Sequence, residues 1–135
     1  AQGVFDILHP GHLYYLTESA KLGDELHVVI ARDSRVRGEK RFLMNEDARR
    51  TMVESLAIVD EAHLGTEGDI YDILDVVDPD VITLGHDQPY DIDDIEAEHE
   101  KRGYEPIDVV RIDRYEPDGD EVVYSSEIKR RLSNQ

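Results

Sequence analysis

The alternation of short, largely apolar runs with stretches of helical spacing is what most constrains this chain. Residues 26–31 and 81–84 form such runs, the pattern of strands covered on both faces rather than of a solvated tail. Period and punctuation predict strands at 1–5, 25–31, 61–64, 81–85 and 108–112, and helices at 11–21, 45–56, 69–77, 92–102 and 125–132. Leu13, Leu16 and Ala20 recur at helical spacing, and Gly23 marks the stop. Asn45 followed by Glu46 and Asp47 opens the second helix, and Asp78-Pro79 closes the third. Strands joined through helices of this length require right-handed parallel crossovers. The expected fold is therefore α/β: a doubly wound parallel sheet with helices on both faces, in one domain spanning residues 1–135. Because the chain opens at Ala1 a few residues ahead of a turn motif, part of the first strand and the natural N-terminus are expected to be missing.

Ligands of such sheets bind beyond the carboxyl ends of the strands. Residues 6–12, 32–41 and 85–88 are thus expected to meet in one cleft.

Charge excludes several partners. Fifteen basic residues stand against 32 acidic ones, a formal −17, which argues against nucleic acid or an anionic membrane. The carboxylates are spread along the chain, a shell suited to a salt-filled, halophilic cytoplasm in which short Debye lengths mute self-repulsion. Zero cysteines exclude disulfides and thiolate metal sites. No apolar stretch reaches a membrane span and no signal-peptide pattern opens the chain, so a cytoplasmic location is expected.

The segment Gly3-Val4-Phe5-Asp6-Ile7-Leu8-His9-Pro10-Gly11-His12 runs from a strand end through a turn into a helix. Pro10 suits the first helical position, and Gly11 removes a side chain where backbone must approach a ligand. A helix N-terminus is an anion site before any side chain is counted. His9 and His12, three apart, can both reach a phosphate there. A solvated cap or an adventitious metal pair is the plainer explanation; the strand-turn-helix context outweighs the first, and the absence of a third ligand at typical spacing argues against the second.

Between Arg32 and Arg50 seven basic residues (Arg32, Arg35, Arg37, Lys40, Arg41, Arg49, Arg50) face four acids, a local +3 that leaves −20 for the rest. Such an island fits two phosphorylated substrates; ion pairing with nearby carboxylates is the alternative for any single member. The remaining candidates read as structural. His27 is expected in the core, His99 on a solvated helix face, and His63 has no motif around it. Asp69, Asp72 and Asp75 form a solvated stripe, as do the acids of residues 91–100, and Tyr14 and Tyr15 are packing residues.

The run Phe5-Asp6-x-x-His9-x-Gly11-His12 resembles the signature of the cytidylyltransferase-like nucleotidyltransferases, and Ser125-Ser126-x-Ile128-Lys129 resembles their second nucleotide motif. Within that superfamily the chain is most similar to the archaeal FAD synthetases, over nearly its full length, including Gly23-Asp24-Glu25-Leu26, Ala31-Arg32-Asp33, Arg49-Arg50 and Leu84-Gly85-His86-Asp87-Gln88. The resemblance implies a Rossmann-like fold and transfer of AMP from ATP to FMN, giving FAD and pyrophosphate. It also implies a homodimer and a divalent cation, Mg2+, held by substrate phosphates without a dedicated metal site. Catalytic roles would fall to His9, His12, Lys40 and Arg49, and nucleotide contacts to Val4, Phe5, His9, Pro10, Gly11, His12, Asp87, Tyr115, Ser125 and Ser126. Val4 stands where many relatives have Thr, and His86 where Pro is frequent. A cytidylyltransferase acting with CTP on glycerol 3-phosphate or a similar alcohol shares these motifs. A catalytically silent nucleotide-binding module is the reading from another class. A class I aminoacyl-tRNA synthetase has a similar motif, but this chain lacks the length and the charge for it.

Overall fold

The computed structural model describes residues 1–36 and 43–116. Among the described residues, five strands and four helices alternate: β1 (Gln2–Gly3), α1 (Pro10–Ala20), β2 (His27–Ile30), α2 (Glu46–Glu54), β3 (Glu61–Leu64), α3 (Ile73–Val77), β4 (Val81–Leu84), α4 (Ile92–Lys101) and β5 (Asp108–Arg111). Every strand pairing is parallel. β1 and β3 flank β2, with Gly3 opposite Ile30 and His27 opposite Glu61, and β4 pairs with β5, Leu84 opposite Arg111.

Side chains bridge the two ladders. The Gln2 amide donates to the Tyr15 hydroxyl at 3.2 Å, and that hydroxyl donates to the Thr83 carbonyl at 2.8 Å. Gln88 Nε2 donates to the Gln2 carbonyl at 3.1 Å, and the hydroxyls of Ser19 and Thr83 lie 2.8 Å apart. Alternation along β2 sends Val28 and Ile30 into a core with Phe5, Leu16, Val53, Val59 and Ala62, beneath α1 and α2. A second core gathers Leu84, Ile95, Ile107 and Val109.

The doubly wound parallel reading holds, with local corrections. Only Gln2 and Gly3 of the strand expected at 1–5 join the ladder, because Phe5 turns the chain with φ 54°. A side chain on Gly3 would meet the Phe5 ring at 2.7 Å, so glycine here is what lets that ring fold back. The helix expected at 69–77 divides into a tight turn, Ile70–Asp72, and α3. The Asp69 carboxylate accepts from the Tyr71 amide at 2.9 Å and favours the turn, and Asp78 ends α3 with φ 50° ahead of Pro79. The helix expected at 125–132 lies outside the described residues.

Three side-chain expectations are also corrected. His27 stands partly exposed on the sheet rather than in the core. His99, expected on a solvated face, is 4% exposed and stacks on the Tyr104 ring at 4.8 Å. Asp69, Asp72 and Asp75 form no free stripe, since the Arg102 guanidinium reaches them at 3.5, 3.2 and 2.9 Å and reaches Glu98 at 3.3 Å.

A cavity of about 340 Å³ opens against the amino ends of β2 and β4, lined by Leu26, His27, Ile73, Leu74 and Val81 among others. It touches no residue of the His9–His12 turn, which follows the carboxyl end of β1.

Candidate active site

Pro10 takes the first position of α1 and His9 caps it in extended conformation. His9 Nδ1 accepts from the His12 amide at 3.4 Å, so the neutral ring carries its proton on Nε2. The two imidazoles stack, with centroids 3.7 Å apart and planes 20° from parallel. The Phe5 ring closes over His12 at 5.0 Å. A left-handed non-glycine residue costs about 1–3 kcal/mol and persists where its surroundings over-determine it. Phe5, 2% exposed, is held in that way.

His12 is lowered from 6.5 to about 3, first by burial, then by the neighbouring His9, against a hydrogen bond with the Ile7 backbone that raises it. It is therefore neutral throughout the physiological range. Its Nδ1 is buried without a hydrogen-bond partner among the described residues. A buried polar atom left unpaired costs about 1–3 kcal/mol, which is a reason to look for a ligand.

Asp6 and Arg49 fix the turn from behind. The Asp6 carboxylate accepts from the Leu43 amide at 2.8 Å and the Met44 amide at 2.9 Å, tying the approach to α2 onto the end of β1. Arg49 is 0% exposed. Its guanidinium donates to the carbonyls of Val4 at 2.9 Å and Met44 at 3.1 Å and to Asp33 Oδ1 at 2.6 Å. Fully buried, it ties the end of β1 to the start of α2 and to the segment after β2.

The described arginines of the basic island are engaged in a similar way. Arg32 donates to Glu46 at 2.8 Å and to the Gly65 carbonyl at 2.6 Å, Arg35 donates to the carbonyls of Thr66 and Gly68, and Arg50 pairs with Glu54 at 3.8 Å. Arg32 and Arg35 fasten the segment after β2 to the segment after β3 and to α2, while the Arg50 pair lies within α2. Arg37, Lys40 and Arg41 lie outside the described residues, as do Ser125 and Ser126.

Of the three segments expected in one cleft, two meet at its wall. Gly11 and Tyr14 line a cavity of about 20 Å³ with Gly85, His86, Ile112, Asp113 and Tyr115. The Tyr14 and Tyr115 rings meet at a tilt of 41° with centroids 5.4 Å apart, so Tyr14 packs at the edge of this cavity, in line with its packing assignment. The Asp87 side chain is 71% exposed, its carboxylate 4.0 Å from His86 Nδ1. The 85–88 turn is built by its own Gln88 and by Arg111, which sequence reading did not single out. Gln88 Oε1 accepts from the Gly85 amide at 2.8 Å, and Arg111 donates to the carbonyls of Gly85, Gln88 and Tyr90 at 2.9, 2.9 and 2.5 Å. A lone arginine at the end of an expected strand was the only available signal for this clamp.

An imidazole pair with a defined proton, the first turn of a helix and a preformed wall together suit binding and charge stabilisation of a phosphate ester. The match to known proteins agrees: residues 1–132 fit the cytidylyltransferase-like family model, and the chain belongs to that family of nucleotidyltransferases. The relatives it matches are more particular. It is 55% identical to a protein named FAD synthase from Aciduliprofundum boonei over 116 residues, 85% of this chain and 77% of that protein. The FAD synthase of Picrophilus torridus is 49% identical over 133 residues, 98% of this chain and 93% of its own length. Among solved structures, a protein from Thermoplasma volcanium described as a lipopolysaccharide core biosynthesis protein superposes with TM-score 0.81 at 46% identity, covering 85% of this chain and 94% of that one.

Proposed function

We propose that this chain is an FAD synthase, transferring an adenylyl group from ATP to the phosphate of FMN and releasing pyrophosphate. The observation that carries the choice of acceptor is the 49% identity to the Picrophilus torridus FAD synthase, sustained over 98% of the chain. An oxygen of the FMN phosphate attacks the α-phosphorus as the bond to the pyrophosphate oxygen breaks, and charge spreads over the oxygens in flight. The His9 Nε2 hydrogen, the His12 ring and the Gly11 amide at the start of α1 face that charge. No covalent intermediate is needed.

His12 contributes through its protonation. Burial holds the empty-site ring neutral, with its pKa at about 3. A bound triphosphate supplies negative charge beside it, raises that pKa and turns Nδ1 into a donor. As the pH falls toward that raised value, ATP binding takes up a proton, measurable as a dependence of binding heat on buffer ionisation enthalpy.

Asp87 and Tyr115 hold the nucleoside further out, Lys40 reaches the departing pyrophosphate, and Ser125 and Ser126 meet phosphate. These roles rest on the family resemblance. A divalent cation, Mg2+, arrives on the triphosphate and neutralises part of its charge. We take the working form to be a cytoplasmic homodimer; sedimentation of the active fraction as a monomer would remove the dimer.

The deciding experiment is one incubation containing ATP, CTP, FMN and glycerol 3-phosphate with Mg2+ at high salt. FAD is the expected product. A cytidylylated glycerol product, or no FAD from a folded sample, would sink the assignment.

A further inference from the structure

His27 and His63 meet away from the nucleotide turn. His27 alternates with Val28 and Ile30 along β2, so it lies on the sheet face opposite the core that α1 and α2 cover. The parallel register sets Glu61 level with His27 and His63 level with Val29. Glu61, His27 and His63 therefore share that face, across the junction of β2 and β3. His27 Nδ1 is 3.0 Å from His63 Nε2 and 3.8 Å from a Glu61 carboxylate oxygen. One ligand atom from each of the three residues lies within 4.8 Å of the other two. With zinc–nitrogen bonds of about 2.0–2.1 Å and tetrahedral angles, two imidazole nitrogens stand roughly 3.3 Å apart. A small ring rotation reaches that spacing.

The outward nitrogens point the same way. A metal-bound imidazole usually hands its second N–H to a carboxylate, which fixes the tautomer and raises its basicity as a ligand. Here His27 Nε2 has Glu25 Oε2 at 3.6 Å, and His63 Nδ1 has Glu61 Oε1 at 3.9 Å. Each histidine thus turns one nitrogen to the shared point and the other to an acid. Without a cation the facing nitrogens can share only one proton, and two glutamates add negative charge to a chain of net −17.

We propose that His27, His63 and Glu61 bind one divalent ion of the zinc class, with Glu25 as the outer partner of His27 and water completing the shell. Two imidazoles select zinc, cobalt or nickel over magnesium, so this ion is separate from the one that accompanies ATP. Its consequence is mechanical: it clips β3, which pairs only with β2 among the described strands, to its neighbour.

The test is calorimetric titration of Zn2+, and in parallel Mg2+, into chelator-treated full chain. One zinc equivalent is expected, with no magnesium binding. His63→Asn and, at an exposed position that the core does not depend on, Glu61→Gln should each weaken zinc by tenfold or more. Co2+ should give visible d–d absorption in the native chain that is lost in His63→Asn, while FMN adenylylation with Mg2+ stays unchanged and confirms that the variant folds. Because His9 and His12 are another imidazole pair, the titration is repeated with both replaced by Asn, and the equivalent should persist. Zinc affinity unchanged in both His63→Asn and Glu61→Gln, loss of the equivalent only when His9 and His12 are replaced, or no binding by active native chain would each overturn the proposal.

Discussion

Two groups of polar side chains flank the end of β1 and spend their hydrogen bonds in opposite ways. At the helix start, His12 keeps a buried ring nitrogen without a hydrogen-bond partner among the described residues and is held neutral by its surroundings. Behind it, Arg49 is fully buried and places its bonds on Val4, Met44 and Asp33, and Arg32 is engaged by Glu46 and Gly65. The first group keeps capacity for a ligand at a cost to the empty fold; the second group offsets that cost by fixing the backbone beneath it. Binding capacity and structural bracing are thus separated between imidazoles and guanidiniums, although both carry charge near the same strand end.

That division is broken most directly at the histidines. Replacing His9 or His12 with Ala should lower kcat/KM for FAD formation by about 10²–10⁴-fold while ATP binding remains measurable and the unfolding midpoint moves little. Turnover close to native in either variant would show that the stacked pair is only a cap. Arg49 should behave in reverse. Arg49→Ala leaves the Val4 and Met44 carbonyls and Asp33 without their donor and should destabilise the fold by about 2–3 kcal/mol, measured by urea unfolding. Arg49→Lys should recover little of it, because one ammonium cannot serve three acceptors spread around a planar fork. The folded fraction should retain kcat within about tenfold; a loss as deep as that of the histidine variants would return Arg49 to the chemistry.

The same contrast explains what could be read from the residues alone. The strand-helix alternation, the parallel sheet and the His9–His12 turn are local: Pro10, Gly11 and two histidines three apart carry their geometry in adjacent positions. The partners of a guanidinium are tertiary. Nothing near Arg49 in sequence announces Val4, 45 positions away, or near Arg111 announces the 85–88 turn. Local charge counting therefore counted as available for phosphate arginines that the fold had already engaged. His27 and His63 were separated for the same reason: 36 positions apart, they are joined only by the register of β2 and β3. The break inside 69–77 was hidden because Asp69 competes for a backbone amide, an effect that apolar spacing does not register.

Acid sharpens the comparison with a smaller effect. Unfolded His12 takes up a proton near pH 6.5, whereas the folded ring stays neutral down to about pH 3. Between these values the unfolded chain binds more protons, so stability rises with pH and is lost on acidification, by up to about 1.4 kcal/mol per pH unit from this ring. Urea unfolding across that window should therefore show a steeper loss for the native chain than for His12→Asn, in which the carboxylates still titrate but this ring does not. Saturating ATP should reduce the difference, since it favours the protonated ring. Parallel curves would mean that His12 is not held neutral by the fold.

The smallest effect concerns a third arginine, far from the turn, and tests whether bracing by guanidinium extends into the acidic surface. Arg102 gathers Asp69, Asp72, Asp75 and Glu98 within 3.5 Å, and the Tyr104 hydroxyl donates to Asp75 beside it. Removing the cation as Arg102→Met leaves four carboxylates facing one another in a chain of net −17. Their repulsion is screened over about 10 Å at 0.1 M salt and about 3 Å at 1 M. The melting temperature of the variant should therefore fall below that of the native chain at low salt and approach it at molar salt. The native chain, still paired there, should show the weaker salt dependence. Arg49, fully buried, should lose similar stability at both salt concentrations when replaced, because ions do not enter to screen its partners. Equal salt responses for Arg102→Met and Arg49→Ala would mean that the two arginines brace the fold by one mechanism.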